Sequence, residues 1–479
     1  MRRLTLCATL ACLLLHASHA DQLPELGDPS ANTLNSQQEH ELGESIMRQL
    51  RSSGDMIDDP DLSDYLHHLG YRLASNSPEP GRSYDFFALK DRTVNAFALP
   101  GGHVGIHTGL ILAAQSESEL ASVLGHEISH ITQKHMARRF EAESRMNLPL
   151  LAATILAIVA AHSNSQVGLA AAATTQAAGS QLSLNYSREH EREADRIGIQ
   201  TMYQAGFDPR AMPRFFEKLQ KSTQLLDNGA FAYLRTHPLN QERIADSQGR
   251  AEALPYRQVG DSIEFLLLRE RLRTLHEGPQ KAIEYYSGML QQGKFSSEPA
   301  YRYGFTLALL QAKEYVRAEQ ELARLRKQIQ HPYLEELAAQ LALAQGQTDK
   351  ALSIYQAALN LTPDQAGLVY GQIDALLQAH RNRQALAAIA EHKGQFGAPP
   401  RMFKLEAQAY AALGSPAREH QALAEYYSRD GNPREALTQI QLALKVAGSD
   451  FYLQSALEAR QRELRAIVAN APKQQQQQQ

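Results

Sequence analysis

The chain has 479 residues, with 48 Lys and Arg against 52 Asp and Glu, and a formal charge of −4. This near-balanced, slightly acidic composition excludes the basic surface of a nucleic-acid binder. Both cysteines, Cys7 and Cys12, lie in the first twenty residues, so the remainder can form no disulfide, thiolate metal site or thiol nucleophile.

Arg2 and Arg3 precede an apolar stretch from Leu4 to Leu15, and Ser18 and Ala20 occupy the −3 and −1 positions of a cleavage point. Residues 1–20 read as a secretory signal peptide cut after Ala20, which sends the chain across the inner membrane. The stretch is too short for a membrane span. Lipid anchoring at Cys12 would want an apolar residue where Thr9 stands. Cleavage leaves 459 residues at charge −6, because Arg2 and Arg3 leave with the signal. That length suggests two or three domains. Few aromatics, no tryptophan and abundant alanine and leucine favour a mostly helical protein.

Residues 21–35, rich in Pro, Ser, Asn and Asp, predict a loose lead-in, with helical patterns to about residue 75. One β region follows. Tyr84 to Leu89 alternates loosely, Ala96 to Leu99 meets the turn Pro100-Gly101-Gly102, and His103 to His107 leaves it. A free strand edge here can pair with an extended substrate backbone. His103 and His107 share one face of their strand and are expected to be exposed polar positions rather than a second metal site.

Ser116 and Glu119 form a capping-box pattern that starts a helix ten residues before His126. Leu120, Val123, Leu124, Ile128 and Ile131 recur at helical spacing and predict a buried face. On this helix stands His126-Glu127-Ile128-Ser129-His130, the pattern HExxH. Positions i and i+4 share a helix face, so His126 and His130 can hold one Zn2+ while Glu127 sits beside the reacting water. Burying two imidazoles and a carboxylate on one turn without a metal would leave polar groups unsatisfied.

A catalytic zinc needs a third protein ligand. Ser187 to Asp195 supplies candidates on a helix that runs to Gly206. Glu191 and Asp195 are again i and i+4. The first can bind metal, and the second can hold a ligand histidine by its other ring nitrogen. By chemistry alone Glu189, His190 and Glu193 compete for the same role. Between the two motifs, residues 146–185 are apolar, then rich in Ala, Gly, Thr and Gln. They read equally as ordinary core or as a lid or surface that touches lipid or a partner.

From about 263 the chain is repetitive. Alanines 282, 318, 351, 385 and 436 are separated by 36, 33, 34 and 51 residues. A period of about 34 is that of tetratricopeptide repeats, whose stacked helix pairs form a solenoid with an interaction surface and no chemistry of their own. Gln474 to Gln479 is low complexity.

His126-Glu-Ile-Ser-His130 followed by Glu191-Arg-Glu-Ala-Asp195 resembles the HExxH endopeptidase family that includes the CAAX prenyl endopeptidase and the heat-shock protease HtpX. The stretches Val94 to Phe97, Pro100 to Gly102, Ala194 to Gly198 and Thr236-His237-Pro238 with Arg243 agree with that family. The resemblance implies a zincin-like metalloprotease domain at 21–262, with one Zn2+ on His126, His130 and Glu191. It makes Glu127 the general base and Asp195 a support for the ligands. The repeats at 263–470 and a Gln tail at 471–479 complete the organisation. Their presence points to periplasmic members of the family. For those, the resemblance implies stalled or misassembled outer-membrane β-barrel proteins as clients, with the repeats docked at the assembly machinery. A chaperone or scaffold that rarely uses its proteolysis is the alternative. His237 belongs to a segment expected near the metal, either as a fourth ligand that gates the site or as a donor to the transition state.

Overall fold

The computed structural model describes residues 35–142, 187–224, 231–396 and 398–470. The signal segment, nearly all of the lead-in, the 146–185 stretch and the Gln tail lie outside the described residues. The fold is mostly α-helical, with one small sheet.

Helix α1 (Ser36–Ser53) opens with a reciprocal cap, in which Asn35 takes the Gln38 N–H and Gln38 returns to the Asn35 N–H. Helix α2 (Pro60–Ala74) starts at Asp59, with Pro60 in the first turn where no N–H is needed. The sheet contains β1 (Asp85–Leu89), β2 (Ala96–Leu99) and β3 (His103–His107) in the order β1-β3-β2. Strand β1 runs parallel to β3, and β2 runs antiparallel to it. The Pro100-Gly101-Gly102 turn between β2 and β3 needs its glycines, with φ of 81° and 88°. A Cβ on Gly102 would lie 2.4 Å from the Ser83 carbonyl oxygen.

His103 and His107 are buried, contrary to the exposure expected from the strand pattern. The sheet is covered on both faces, so alternation does not select an outer side. Each histidine instead meets polar partners through its Nδ1. The His103 ring lies 3.0 Å from Asp85 and 3.4 Å from Glu44 of α1. His107 meets the Thr93 hydroxyl at 2.8 Å and Asp91 at 3.5 Å. Neither belongs to a metal-holding group among the described residues.

After the short α3 (Thr108–Ala113), helix α4 (Glu117–Thr132) carries the HExxH motif and is buried at every position. The expected apolar face is there, but α4 packs on the sheet, α2 and its later neighbours at once, so no face is left to water. Its cap is half of the expected box. Ser116 accepts from the Glu119 N–H, while the Glu119 carboxylate turns to the Gln115 N–H and to Lys218. Next come α5 (His135–Ala142), α6 (Arg188–Gln204), α7 (Ala211–Gln224), α8 (Phe231–Thr236) and α9 (Gln241–Glu252).

Twelve further described helices form successive packed pairs. They are α10 (Ile263–Glu277) with α11 (Pro279–Gln292), α12 (Glu298–Gln311) with α13 (Tyr315–Leu325), and α14 (Pro332–Ala344) with α15 (Thr348–Leu359). The array continues with α16 (Ala366–Gln378) and α17 (Asn382–Phe396), α18 (Pro400–Ala412) and α19 (Pro416–Arg429), then α20 (Pro433–Val446) and α21 (Phe451–Asn470). Alanines 282, 318, 351, 385 and 436 are all fully buried. The long last gap has a simple origin. The anchor of α19 is Ala417, 32 residues after Ala385, and Ala436 sits in the first helix of the following pair. Tyr286 lies on Gly304 of the next helix and, two repeats further on, Tyr355 likewise lies on Gly371 of the helix after it. A Cβ at either glycine would come within 2.6 Å of the tyrosine ring or hydroxyl.

One apolar core runs from Leu62 through the sheet, α4 and α7 into α10 to α14, without a break at residue 262. A buried charge cluster reinforces it. Arg271 of α10 reaches Asp59 and Asp61 at 3.1 Å and Glu336 of α14 at 2.8 Å. Asp61 also caps α16, accepting from the Gly367 N–H at 2.9 Å and from Gln365 at 2.8 Å. The repeats therefore close around the corner between α1 and α2. No described helix is long and apolar enough to cross a membrane.

Candidate metal centre

Helices α4 and α6 meet at two glycines. A Cβ on Gly198 would lie 3.2 Å from the backbone at Gly125 and His126. With no side chain between them, the helices approach closely enough for Glu191 on α6 to reach both histidines of α4. His237, the residue after α8, joins them.

These four side chains converge. His126, His130, Glu191 and His237 each offer a ligand atom, all within 4.8 Å of one another, and all four residues are buried. His126 Nε2 lies 3.0 Å from His130 Nε2 and 3.2 Å from His237 Nδ1. Glu191 oxygens lie 3.6 Å from His126 Nε2, 3.5 Å from His130 Nε2 and 3.0 Å from His237 Nδ1. A tetrahedral zinc with bonds of about 2.0–2.1 Å separates its ligand atoms by roughly 3.3 Å. The observed spacings bracket that value. Protons alone satisfy the group poorly, since three ring nitrogens face one another and each shared proton serves only one pair. A cation at the centre would serve every lone pair, so the residues fit a metal.

Around the group lies a supporting set. Asp195 Oδ1 is 3.0 Å from His126 Nδ1, so its carboxylate can fix the tautomer that leaves Nε2 free. Arg243 donates two hydrogen bonds of 2.8 Å to Asp195 and one of 2.7 Å to the Pro238 carbonyl. It also lies 2.7 Å from Glu191. Arg243 thus ties the His237 segment to the helix that carries Glu191 and Asp195. Burial would raise the Asp195 carboxyl, but Arg243 and His126 outweigh it and hold the group below the usual carboxylate range. Burial likewise opposes ionisation of Glu191, which His237, His130 and His126 keep well below its ordinary value.

Glu127 stands slightly apart, with its carboxylate 3.4 Å from His237 Nε2. Burial raises its carboxyl above the ordinary range, and His237 and His126 offset this only in part. A carboxylate with raised basicity beside a metal-holding group suits general-base work. It also lies beside β2, one of the sheet's two edge strands. Asn95 accepts the His107 N–H at 3.0 Å, so strand alternation turns Ala96 and Ala98 to the outer edge.

The sequence candidates assemble as follows. His126, His130, Glu191 and His237 form the group, with Asp195 behind His126 and Glu127 beside it. Glu189 and Glu193 do not join, nor does His190. Sequence reasoning missed Tyr233. Its ring stacks on His237 at 4.7 Å, and its buried hydroxyl has no hydrogen-bond partner among the described residues. The available signal was its i−4 position relative to His237.

The HExxH helix, the downstream carboxylate helix and their buried metal-holding group define a metallopeptidase, and the comparisons agree. The model of peptidase family M48 matches residues 60–251. A β-barrel assembly-enhancing protease of Vibrio cholerae is 37% identical over 333 residues, 68% of each chain. That of Escherichia coli K12 is 32% identical over 460 residues, 94% of this chain and 93% of the other. The mitochondrial metalloendopeptidase OMA1 of Arabidopsis thaliana is 34% identical over 190 residues, 39% of this chain and 36% of its own. This chain belongs to the β-barrel assembly-enhancing proteases of Gram-negative bacteria, within peptidase family M48.

Proposed function

We propose that the protein is a periplasmic zinc endopeptidase that removes stalled or misassembled outer-membrane β-barrel proteins and aids their assembly. The observation that carries the reading is the convergence of His126, His130 and Glu191, with Glu127 beside them. The signal-like N-terminus supports the compartment. The names of the relatives support the client class, and the repeat array supports docking at the assembly machinery.

One zinc per chain would be held by His126, His130 and Glu191. Bound there, the ion would acidify a water and polarise the scissile carbonyl. Glu127 takes a proton from the attacking water and returns it to the leaving amine. Asp195 orients His126, and Arg243 holds Asp195. The client lies extended along the outer edge of β2, where Ala96 and Ala98 offer backbone groups.

His237 is the gate. Its Nδ1 sits among the metal-holding atoms, where it fills the position that water and substrate need. Moving α8 would open the site, so the resting enzyme spares folded bystanders. His237→Ala should raise cleavage of an unfolded model protein and promote self-cleavage. If His237 instead stabilises the transition state, the rate should fall by roughly 10²–10³-fold. A fall with unchanged zinc content would defeat the gate.

The test of the whole reading is metal analysis of the purified protein, combined with trapping of bound clients by Glu127→Gln. About one zinc per chain and captured outer-membrane proteins are expected. No zinc, or wild-type hydrolysis by Glu127→Gln, would sink it.

A further inference from the structure

His135 follows His130 by five residues but does not share its helix. Helix α4 ends at Thr132, and Lys134 turns the chain with φ of 50°. A left-handed lysine is strained, so the surroundings must hold the turn. Its result is to fold His135 back against the metal-holding group. The ring is fully buried and packs edge-on to His130, with centroids 4.9 Å apart. His135 Nδ1 lies 2.9 Å from His130 Nδ1, and His135 Nε2 lies 3.0 Å from Glu193 Oε2. Arg138 holds the same Glu193 oxygen at 3.0 Å. His190 stacks on the outer face of His135 at 4.3 Å.

Chemistry sets the direction of these hydrogen bonds. The Glu193 carboxylate can only accept, so His135 carries its proton on Nε2. With Nε2 donating to Glu193, the neutral imidazole offers only a lone pair at Nδ1, 2.9 Å from His130 Nδ1. His135 Nδ1 is then an acceptor, and His130 must donate from its own Nδ1. That leaves the His130 Nε2 lone pair pointing at His126 and Glu191, the tautomer that a metal ligand requires. His126 receives the same treatment directly from Asp195.

We propose that His135 and Glu193 are positioning residues of the metal centre, a relay from Glu193 through His135 that fixes the tautomer and orientation of His130. The inference rests on His130 being a metal ligand. It gives Glu193 a role one group behind the ligands, and it accounts for the strained turn at Lys134. A purely structural role would use the same contacts to fasten α5 to α6, so the test must read the metal.

Zinc affinity of the full-length protein would be measured by competition with a chromophoric chelator, and the visible spectrum recorded after cobalt substitution. Melting of the metal-free protein reports folding. His135→Phe keeps a ring against His190 but cannot accept a proton. It should weaken zinc by about 10–100-fold and alter the cobalt spectrum. His135→Asn places an amide oxygen near the Nδ1 position and should recover most of the affinity. Glu193→Ala leaves the ring in place and should weaken zinc in the same direction. Wild-type affinity and an unchanged cobalt spectrum in His135→Phe would overturn the relay, as would an Asn variant no better than Phe. Should His135→Phe fail to fold, Glu193→Ala decides, and unaltered affinity there rejects the proposal. A wild-type protein that binds no zinc would remove the metal reading and this inference with it.

Discussion

Glu127, Glu191, Asp195 and Arg243 are each at most 2% exposed, whereas the most deeply buried periodic positions of the repeats are alanines. The first region takes charge out of water, which costs several kcal/mol per ion unless each is paired. The paired geometry serves the metal centre, and stability alone does not require it. The second region sets these alanines beside large buried rings such as Tyr286, Tyr303 and Tyr355, where close packing is the main requirement. Substitutions near the metal should therefore alter chemistry while the fold persists. In the repeats they should alter packing while the chemistry persists. The repeat half also buries charge at its first helix, where Glu270 pairs with Arg269 and Arg273 and where the Arg271 cluster ties that half to Asp59 and Asp61.

The sharpest test of the contrast is Glu127→Gln. The amide fills the same space but cannot take a proton, so hydrolysis should fall by about 10²–10⁴-fold or more. Zinc content and melting temperature should hold. A parallel loss of stability would mean that the catalytic region is not chemically dedicated.

Next in size is Arg271→Ala. It strands the fully buried Asp61 carboxylate, which should cost about 3–5 kcal/mol. The measurement is chemical denaturation, with peptide hydrolysis assayed well below the transition. Deleting 263–479 should be harsher, since it strips Phe265, Leu267, Leu268 and Leu272 from the common core. A soluble truncation that melts at the wild-type temperature would show the two regions to be independent.

Ala351→Leu probes the repeats alone. Overpacking between fully buried helices should cost about 1–3 kcal/mol without changing the hydrolysis of a short peptide at low temperature. A selective loss of catalysis would break the proposed division of labour.

The smallest effect concerns pH. Burial disfavours charge on His103, but Asp85 and Glu44 outweigh it and push its pKa up to about 9. A raised histidine pKa stabilises the folded state fully below the unfolded value and loses that contribution as pH rises through the folded one. Stability should therefore drop between about pH 6.5 and pH 9, by on the order of 1–2 kcal/mol after screening of the part-exposed partners. His103→Gln should flatten this slope in denaturation curves taken across that range. An unchanged slope would assign the pH dependence to other groups.

Local spacing alone determined the HExxH pair, because a helix places i and i+4 on one face whatever surrounds it. It also determined the repeat anchors and the hairpin at Pro100-Gly101-Gly102. The resemblance carried Glu191, which spacing left in competition with its neighbours. The packing then separated those neighbours. Glu191 faces the histidines, while Glu193 faces His135. His135 was invisible to helical spacing because the helix stops before it, and only the turn at Lys134 returns it to His130. His103 and His107 were misjudged because strand alternation does not say that both faces of a sheet are covered. The seam from Asp59 and Asp61 to Arg271, Glu336 and Gly367 joins residues hundreds of positions apart. No local pattern encodes such a pairing, since it exists only once the repeats have closed on the corner between α1 and α2.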